Sequence, residues 1–111
     1  GSVRAVLGDL IDAGLEVFEV VQVTAHGMDP VELKREFGNH VTFYGAINTQ
    51  NTLPHGSTAD VRREVRDRVD VLGRGGRYIL SSMHVLMDDV PVDNVLAMYD
   101  EARTYRPQWS L

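Results

Sequence analysis

A chain of 111 residues forms one domain at most, and it can bury roughly two thirds of its unfolded surface. Its formal charge of −5, with Lys and Arg scattered among Asp and Glu, leaves no basic stripe to neutralise phosphates and argues against a nucleic-acid partner. The absence of cysteine excludes disulfides, thiolate chemistry and cysteine zinc sites and fits a reducing, cytoplasmic setting, and no apolar run approaches the roughly 18 residues of a membrane span.

No charged-then-apolar leader opens the chain, and Gly1-Ser2 reads as a remnant of cloning. Val3, Val6, Leu7, Leu10 and Ile11 fall at i, i+3, i+4, i+7 and i+8, which predicts a one-sided helix ending at Gly14. Residues 15–22 mix Val, Phe and Glu at strand length, and 23–28 form a loop with a flexible glycine. Asp29-Pro30-Val31-Glu32 is a helix start: Asp caps, Pro fits the first turn, and Glu32 takes the capping-box position. This helix stops at Gly38.

Residues 40–48 predict a second strand, and 49–56 a loop whose Pro, Gly and polar content forbids regular structure. Ser57 with Asp60 caps a helix that carries Val61, Val65, Val69 and Leu72 on one side, with its charge run on a solvated face. After the turn at residues 73–76, Tyr78-Ile79-Leu80-Ser81-Ser82-Met83-His84 reads as a buried strand that delivers His84 to a rim. The Gly75-Gly76 pair precedes a strand and lacks the helix of a phosphate loop. Asp88-Asp89-Val90-Pro91 leads into a last helix with Val95, Leu96, Tyr99 and Ala102 facing inward.

The order is therefore α-β-α-β-α-β-α, with a crossover helix between successive strands. Such crossovers are right-handed and yield parallel strands with helices over them. The fold class is α/β, and 111 residues fit a partial (β/α)8 barrel of three strands plus one leading helix, since a whole barrel takes about 250 residues. Ligands of such sheets bind at the carboxyl ends of the strands, where Gln22, Asn48 and His84 fall, with Gln50 just beyond.

The segments Gly27-Met28-Asp29-Pro30, Leu33-Lys34-Arg35-Glu36-Phe37-Gly38, Thr42-Phe43-Tyr44-Gly45-Ala46-Ile47-Asn48-Thr49-Gln50 and Gly76-Arg77-Tyr78-Ile79-Leu80 form a recognisable set. With His84, Asp89-Val90-Pro91 and Asn94-Val95-Leu96-Ala97-Met98-Tyr99, the chain resembles the C-terminal part of the uroporphyrinogen decarboxylase superfamily. The resemblance implies the last three strands of a single barrel that removes acetate carboxyl groups from uroporphyrinogen, in porphyrin biosynthesis, without a cofactor. It implies that residues 1–111 are one α/β unit that is inactive alone, because the catalytic aspartate and the arginines for substrate carboxylates belong to the N-terminal part. His84 matches the histidine after the last strand that lines the tetrapyrrole cleft, whereas Asn48 stands where the family pattern commonly has Asp. The cobamide-dependent methyltransferase branch uses histidine and cysteine ligands for zinc. Here that neighbourhood reads Ser81-Ser82-Met83-His84, with no cysteine.

Each candidate has a second reading. His84 orients a substrate carboxylate or passes a proton near neutral pH, or else it is a loop or capping histidine. Gln22, Asn48 and Gln50 fix a polar ligand, or they satisfy loop backbone. His26, His55 and His84 share a rim, but no short ligand spacing supports a metal site. His40 opens a strand at the opposite end. Asp88 and Asp89 fit turn and helix-start duty better than a carboxylate pair. The expected partners are a second copy in a closed homo-oligomer or a missing N-terminal half. Three strands cut from a barrel expose two edges, and the inward faces of Val17, Phe43 or Tyr44, and Ile79 or Leu80 lack opposing strands.

Overall fold

The structure, a computed structural model, describes residues 4–23, 25, 27–83, 86 and 88–109, Val20 in its backbone only. The elements are α1 (Arg4–Asp12), β1 (Val17–Val21), α2 (Pro30–Phe37), β2 (Thr42–Ile47), α3 (Thr52–His55), α4 (Thr58–Leu72), β3 (Tyr78–Ser82) and α5 (Val92–Thr104). The three strands form one parallel sheet in the order β1-β2-β3. This is the α/β arrangement of a partial barrel. Its shortest dimension is 18 Å, the thickness of one sheet and one helix layer.

The helix starts follow the local chemistry. Asp29 accepts a hydrogen bond from the Val31 N–H (3.3 Å), and Pro30 occupies the first turn, where its missing N–H has no partner to lose. Glu32 does not complete a capping box. It pairs instead with Arg4 (3.2 Å), which also binds Glu36 and the Gly27 carbonyl, fastening α1 to α2. A long-range cation outcompetes the local backbone N–H for that carboxylate.

At α4 both halves of the capping box are made: the Asp60 N–H donates to Ser57 Oγ (3.1 Å) and the Ser57 N–H to Asp60 Oδ2 (2.9 Å). These bonds from Ser57 hold the Asp60 carboxyl below its ordinary range. A group whose folded pKa is depressed stabilises the fold above its unfolded value, near 3.8, and loses that contribution as the pH falls through the folded value. Asp60→Asn is therefore expected to melt at a lower temperature than the parent at pH 7, and to converge on it in acid. Thermal melts across that range check it; a difference that grows in acid contradicts the assignment.

The five helices lie on one face of the sheet. Phe18, Phe43 and Tyr78 form one cross-strand row on that face, and Leu7, Leu33, Phe37 and Leu72 pack over it. A second cluster joins Ile47, Leu53, Val61, Val65, Ala97 and Met98 under α4 and α5, with Leu80 against it. The neighbouring row Glu19-Tyr44-Ile79 points the other way, toward the uncovered face, as does Val17.

Four expectations change. Residues 49–56 are not all loop, because α3 forms there. Asn48 Oδ1 accepts the N–H groups of Gln50 and Asn51 and nucleates the turn, while Leu53 and Pro54 gain burial. The α5 stripe is rolled. Asn94, Ala97 and Met98 are buried, and Leu96 and Tyr99 are 61% and 57% exposed. The roll follows from polar constraints, since Asn94 serves two carbonyls and Glu101 meets Arg62 and Arg66. For the same reason the α4 charge run is not simply a solvated face: Arg62 and Arg66 bind across to α5.

Finally, β3 is not buried on both faces. It is an edge strand, and Ile79 is 45% exposed on the side that no helix covers. Ile79→Ala is accordingly expected to cost less than about 1 kcal/mol, well under the 2–5 kcal/mol typical of a buried isoleucine. Urea titration of that variant reads the difference.

Candidate functional site

The sheet order brings the carboxyl ends of the strands to one rim. Gln22 follows β1, Asn48 follows β2, and Ser82 and Met83 end β3, with adjacent strands roughly 4.8 Å apart. The Met83 N–H donates to the Ile47 carbonyl (2.8 Å), so the pairing continues to the rim itself. His84, the strongest candidate in the sequence, lies outside the described residues, as does His26.

The end of β2 is bent by its backbone. Gly45 and Ala46 both adopt positive φ (118° and 79°), and Ala46 bears a Cβ in a region that favours glycine. Their carbonyls are tied down from the helix side. The Tyr78 hydroxyl donates to the Gly45 oxygen (2.7 Å) and Arg68 Nε to the Ala46 oxygen (3.1 Å). Burial pushes the Tyr78 phenol well above its usual pKa, so it remains a proton donor over the ordinary pH range.

Glu64 completes this support. It accepts the Asn48 N–H (2.7 Å) and the Thr52 hydroxyl (3.0 Å) and pairs with Arg68 (3.6 Å) one turn along α4. The network fixes where β2 delivers Asn48. Asn48 is half-buried, and its Oδ1 holds the N–H groups of Gln50 (2.8 Å) and Asn51 (3.0 Å). Its side-chain oxygen thus organises the turn into α3. Gln22 is half-buried, with its carbonyl accepting the Ala25 N–H (3.1 Å), and Gln50 is exposed on the turn after Asn48. Gln22 and Asn48 therefore share the rim, with Gln50 two residues outside it.

Sequence reasoning missed Glu64, Arg68 and Tyr78. The i, i+4 spacing of Glu64 and Arg68 was the available signal, although it did not say that the pair points at a strand end. His55 is exposed on α3 beside a groove of about 460 Å³ lined by Asp60, Arg63, Glu64, Asp67 and Arg68. No cluster of three or more His, Cys, Asp or Glu side chains suited to a metal occurs among the described residues. His40 is exposed before β2, at the opposite end. Asp88 and Asp89 stand in the turn that leads into α5.

The rim therefore presents amide and hydroxyl groups on a stiffened strand end, and the uncovered sheet face beside it presents Val17, Tyr44 and Ile79 with Glu19. Among the described residues no helix is long and apolar enough to cross a membrane.

A family model described as uroporphyrinogen decarboxylase (URO-D) matches residues 1–105. No curated protein matches the chain.

Proposed function

Since the chain belongs to the uroporphyrinogen decarboxylase family, we propose that it contributes three consecutive β/α units to a cofactor-free decarboxylase barrel, and that it does not turn over substrate alone. In that barrel the rim of Gln22 and Asn48, with Gln50 just beyond it, lines a cleft for a polycarboxylate tetrapyrrole, and His84 is the histidine assigned to that cleft by the family resemblance. Neutral amides accept and donate hydrogen bonds at the carboxylate edge of such a ligand, and His84 orients a carboxylate or passes a proton as a pyrrole ring is protonated.

One observation carries the reading: the matched stretch folds as successive parallel β/α units whose polar strand ends share a rim. The uncovered sheet face supports inactivity of the chain alone. A cleft with one wall leaves the reacting ring in water, where dipoles and charges act weakly on a developing cation.

Incubating the isolated chain with uroporphyrinogen under anaerobic conditions and measuring released CO2 tests this. No release above the buffer rate is expected, and catalysis by the chain alone would end the proposal. In a complete barrel carrying this segment, His84→Ala is expected to lower kcat/KM by about 100-fold if it moves a proton. An unchanged kcat/KM removes His84 from the site.

A further inference from the structure

The end of α4 and the segment that follows α5 enclose a groove of about 670 Å³, lined by Asp70, Arg74, Tyr105, Gln108 and Trp109. As part of the crossover from β2 to β3, α4 runs back from the rim, so the groove opens at the amino ends of the strands. Both of its walls belong to this chain. Gln108 and Trp109 also lie beyond residues 1–105, the stretch that the family model matches.

Two donors in this groove lack a partner among the described residues. Asp70 stands four residues before Arg74, the spacing at which an acid and a base pair along a helix, yet its Oδ1 accepts the Tyr105 hydroxyl instead (2.7 Å). Arg74 is left exposed with no ion pair, whereas Arg4, Arg62, Arg63, Arg66, Arg68 and Arg103 all meet carboxylates. The second donor is the Trp109 Nε1–H, which is buried and meets no acceptor. An N–H withheld from water without a bond is costly and uncommon. The indole as a whole is only half-buried, with its six-membered ring beside Gly73, where an added Cβ would come within 3.3 Å of Cζ2. Turning its N–H toward an acceptor in the groove therefore breaks no hydrogen bond.

We propose that this groove binds a small aromatic carboxylate, with its oxygens on Arg74 and the Trp109 N–H and its ring against Tyr105 and Trp109. The guanidinium is a planar fork that matches two oxygens on one carbon, and the indole supplies a further donor. Asp70 decides the charge of the ligand. Its carboxylate shares the groove and repels a second negative charge, which favours a carboxylate over a dianionic phosphate. The two aromatic rings favour a flat body behind the anion, since offset faces and edges attract one another beyond simple burial. A groove of this volume is of the size that holds a small organic molecule.

The chain has one tryptophan, so its single indole N–H resonance reports this groove alone. Titrating the intact, nitrogen-15-labelled chain with phenylacetate is expected to move that resonance saturably. Arg74→Gln should weaken binding more than about tenfold, because it removes a charge-assisted bond, and phenylacetamide, which keeps the ring without the charge, should bind the parent more weakly by a similar factor. Arg77→Gln removes another exposed cation three residues on but outside the lining, and should leave the affinity unchanged. Arg74 faces solvent, so its variant keeps the fold, and circular dichroism verifies it. Trp109→Phe, followed on the proton lines of the ligand, keeps an aromatic wall and removes the N–H; an affinity equal to the parent's would overturn the part given to that donor. A resonance that stays in place, or that moves without saturating, overturns the proposal outright. So does equal weakening by Arg74→Gln and Arg77→Gln, which marks diffuse attraction and no site. Phenyl phosphate binding more tightly than phenylacetate would overturn the choice of a carboxylate. None of these readings depends on decarboxylation.

Discussion

Phe43→Ala is expected to lower the unfolding free energy by about 3–5 kcal/mol, enough to remove much of the 5–15 kcal/mol that holds a typical domain. Phe43 sits on the middle strand with its side chain fully buried, and its ring meets that of Phe18 at 6.4 Å between centroids with a 59° tilt. The tilted geometry adds to simple burial. Its neighbours in the row and in the helix layer above come from five other elements, so little can collapse into the space left behind. For a chain of this size the loss corresponds to a fall in Tm of roughly 10–30 °C. Ile79→Ala is the matched control, since Ile79 lies on a neighbouring row of the same sheet but faces away from the helices. If the two variants melt alike, the helix layer has been assigned to the wrong face.

The second large effect is expected at Asn94. It is the one buried polar side chain among the described residues, 3% exposed, and its Nδ2 donates to the carbonyls of Leu53 (2.8 Å) and Gly56 (2.9 Å). Those two oxygens belong to α3 and the residue that ends it, a four-residue helix too short to hold itself. Asn94→Ala leaves both carbonyls without their donor, at about 1–3 kcal/mol for each. Asn94→Asp is expected to do worse at pH 7, because it sets a carboxylate against two carbonyl oxygens, and to recover partly in acid, where the protonated form donates one bond. Urea unfolding at both pH values reads the pair of variants. An aspartate variant as stable as the parent at pH 7 would show that these bonds do not hold α3.

Much of the fold is legible because its signals are local. Asp29-Pro30 and the Ser57/Asp60 box start helices where their side chains reach backbone N–H groups within three residues. The alternation of strands with crossover helices gives the parallel order without any knowledge of contacts. What escapes a sequence reading depends on partners far along the chain. Counting apolar positions places Leu96 and Tyr99 inward, but the roll of α5 is set by Asn94 reaching α3 and Glu101 reaching α4. The helix within residues 49–56 is hidden by Pro54, which is harmless in a first turn and profits from burial. At the rim, the common position of Gln22 and Asn48 follows from strand ends alone. The work of Asn48 Oδ1 in turning the chain, and the grip of Glu64, Arg68 and Tyr78 on β2, appear only once α4 lies across the sheet.

Lys34 has a consequence for how such chains exchange parts. Its ammonium, lowered in pKa by burial and by nearby Arg77, reaches from α2 to the Leu72 carbonyl (2.7 Å) and the Gly76 carbonyl (2.9 Å), the last turn of α4 and the bend before β3. A side chain of one repeat thereby shapes the entry to the strand two repeats' boundaries away, where Arg77 takes positive φ. The β/α units are therefore not interchangeable bricks. A recombinant that crosses over between Gly38 and Val41 inherits a lysine from one parent and the carbonyls it serves from the other, whereas a crossover after Arg77 keeps the clasp intact. Duplication and swapping of units in this lineage should favour the second kind of junction, and a library of chimaeras scored for soluble expression would display that preference as a cluster of tolerated breakpoints just ahead of β3.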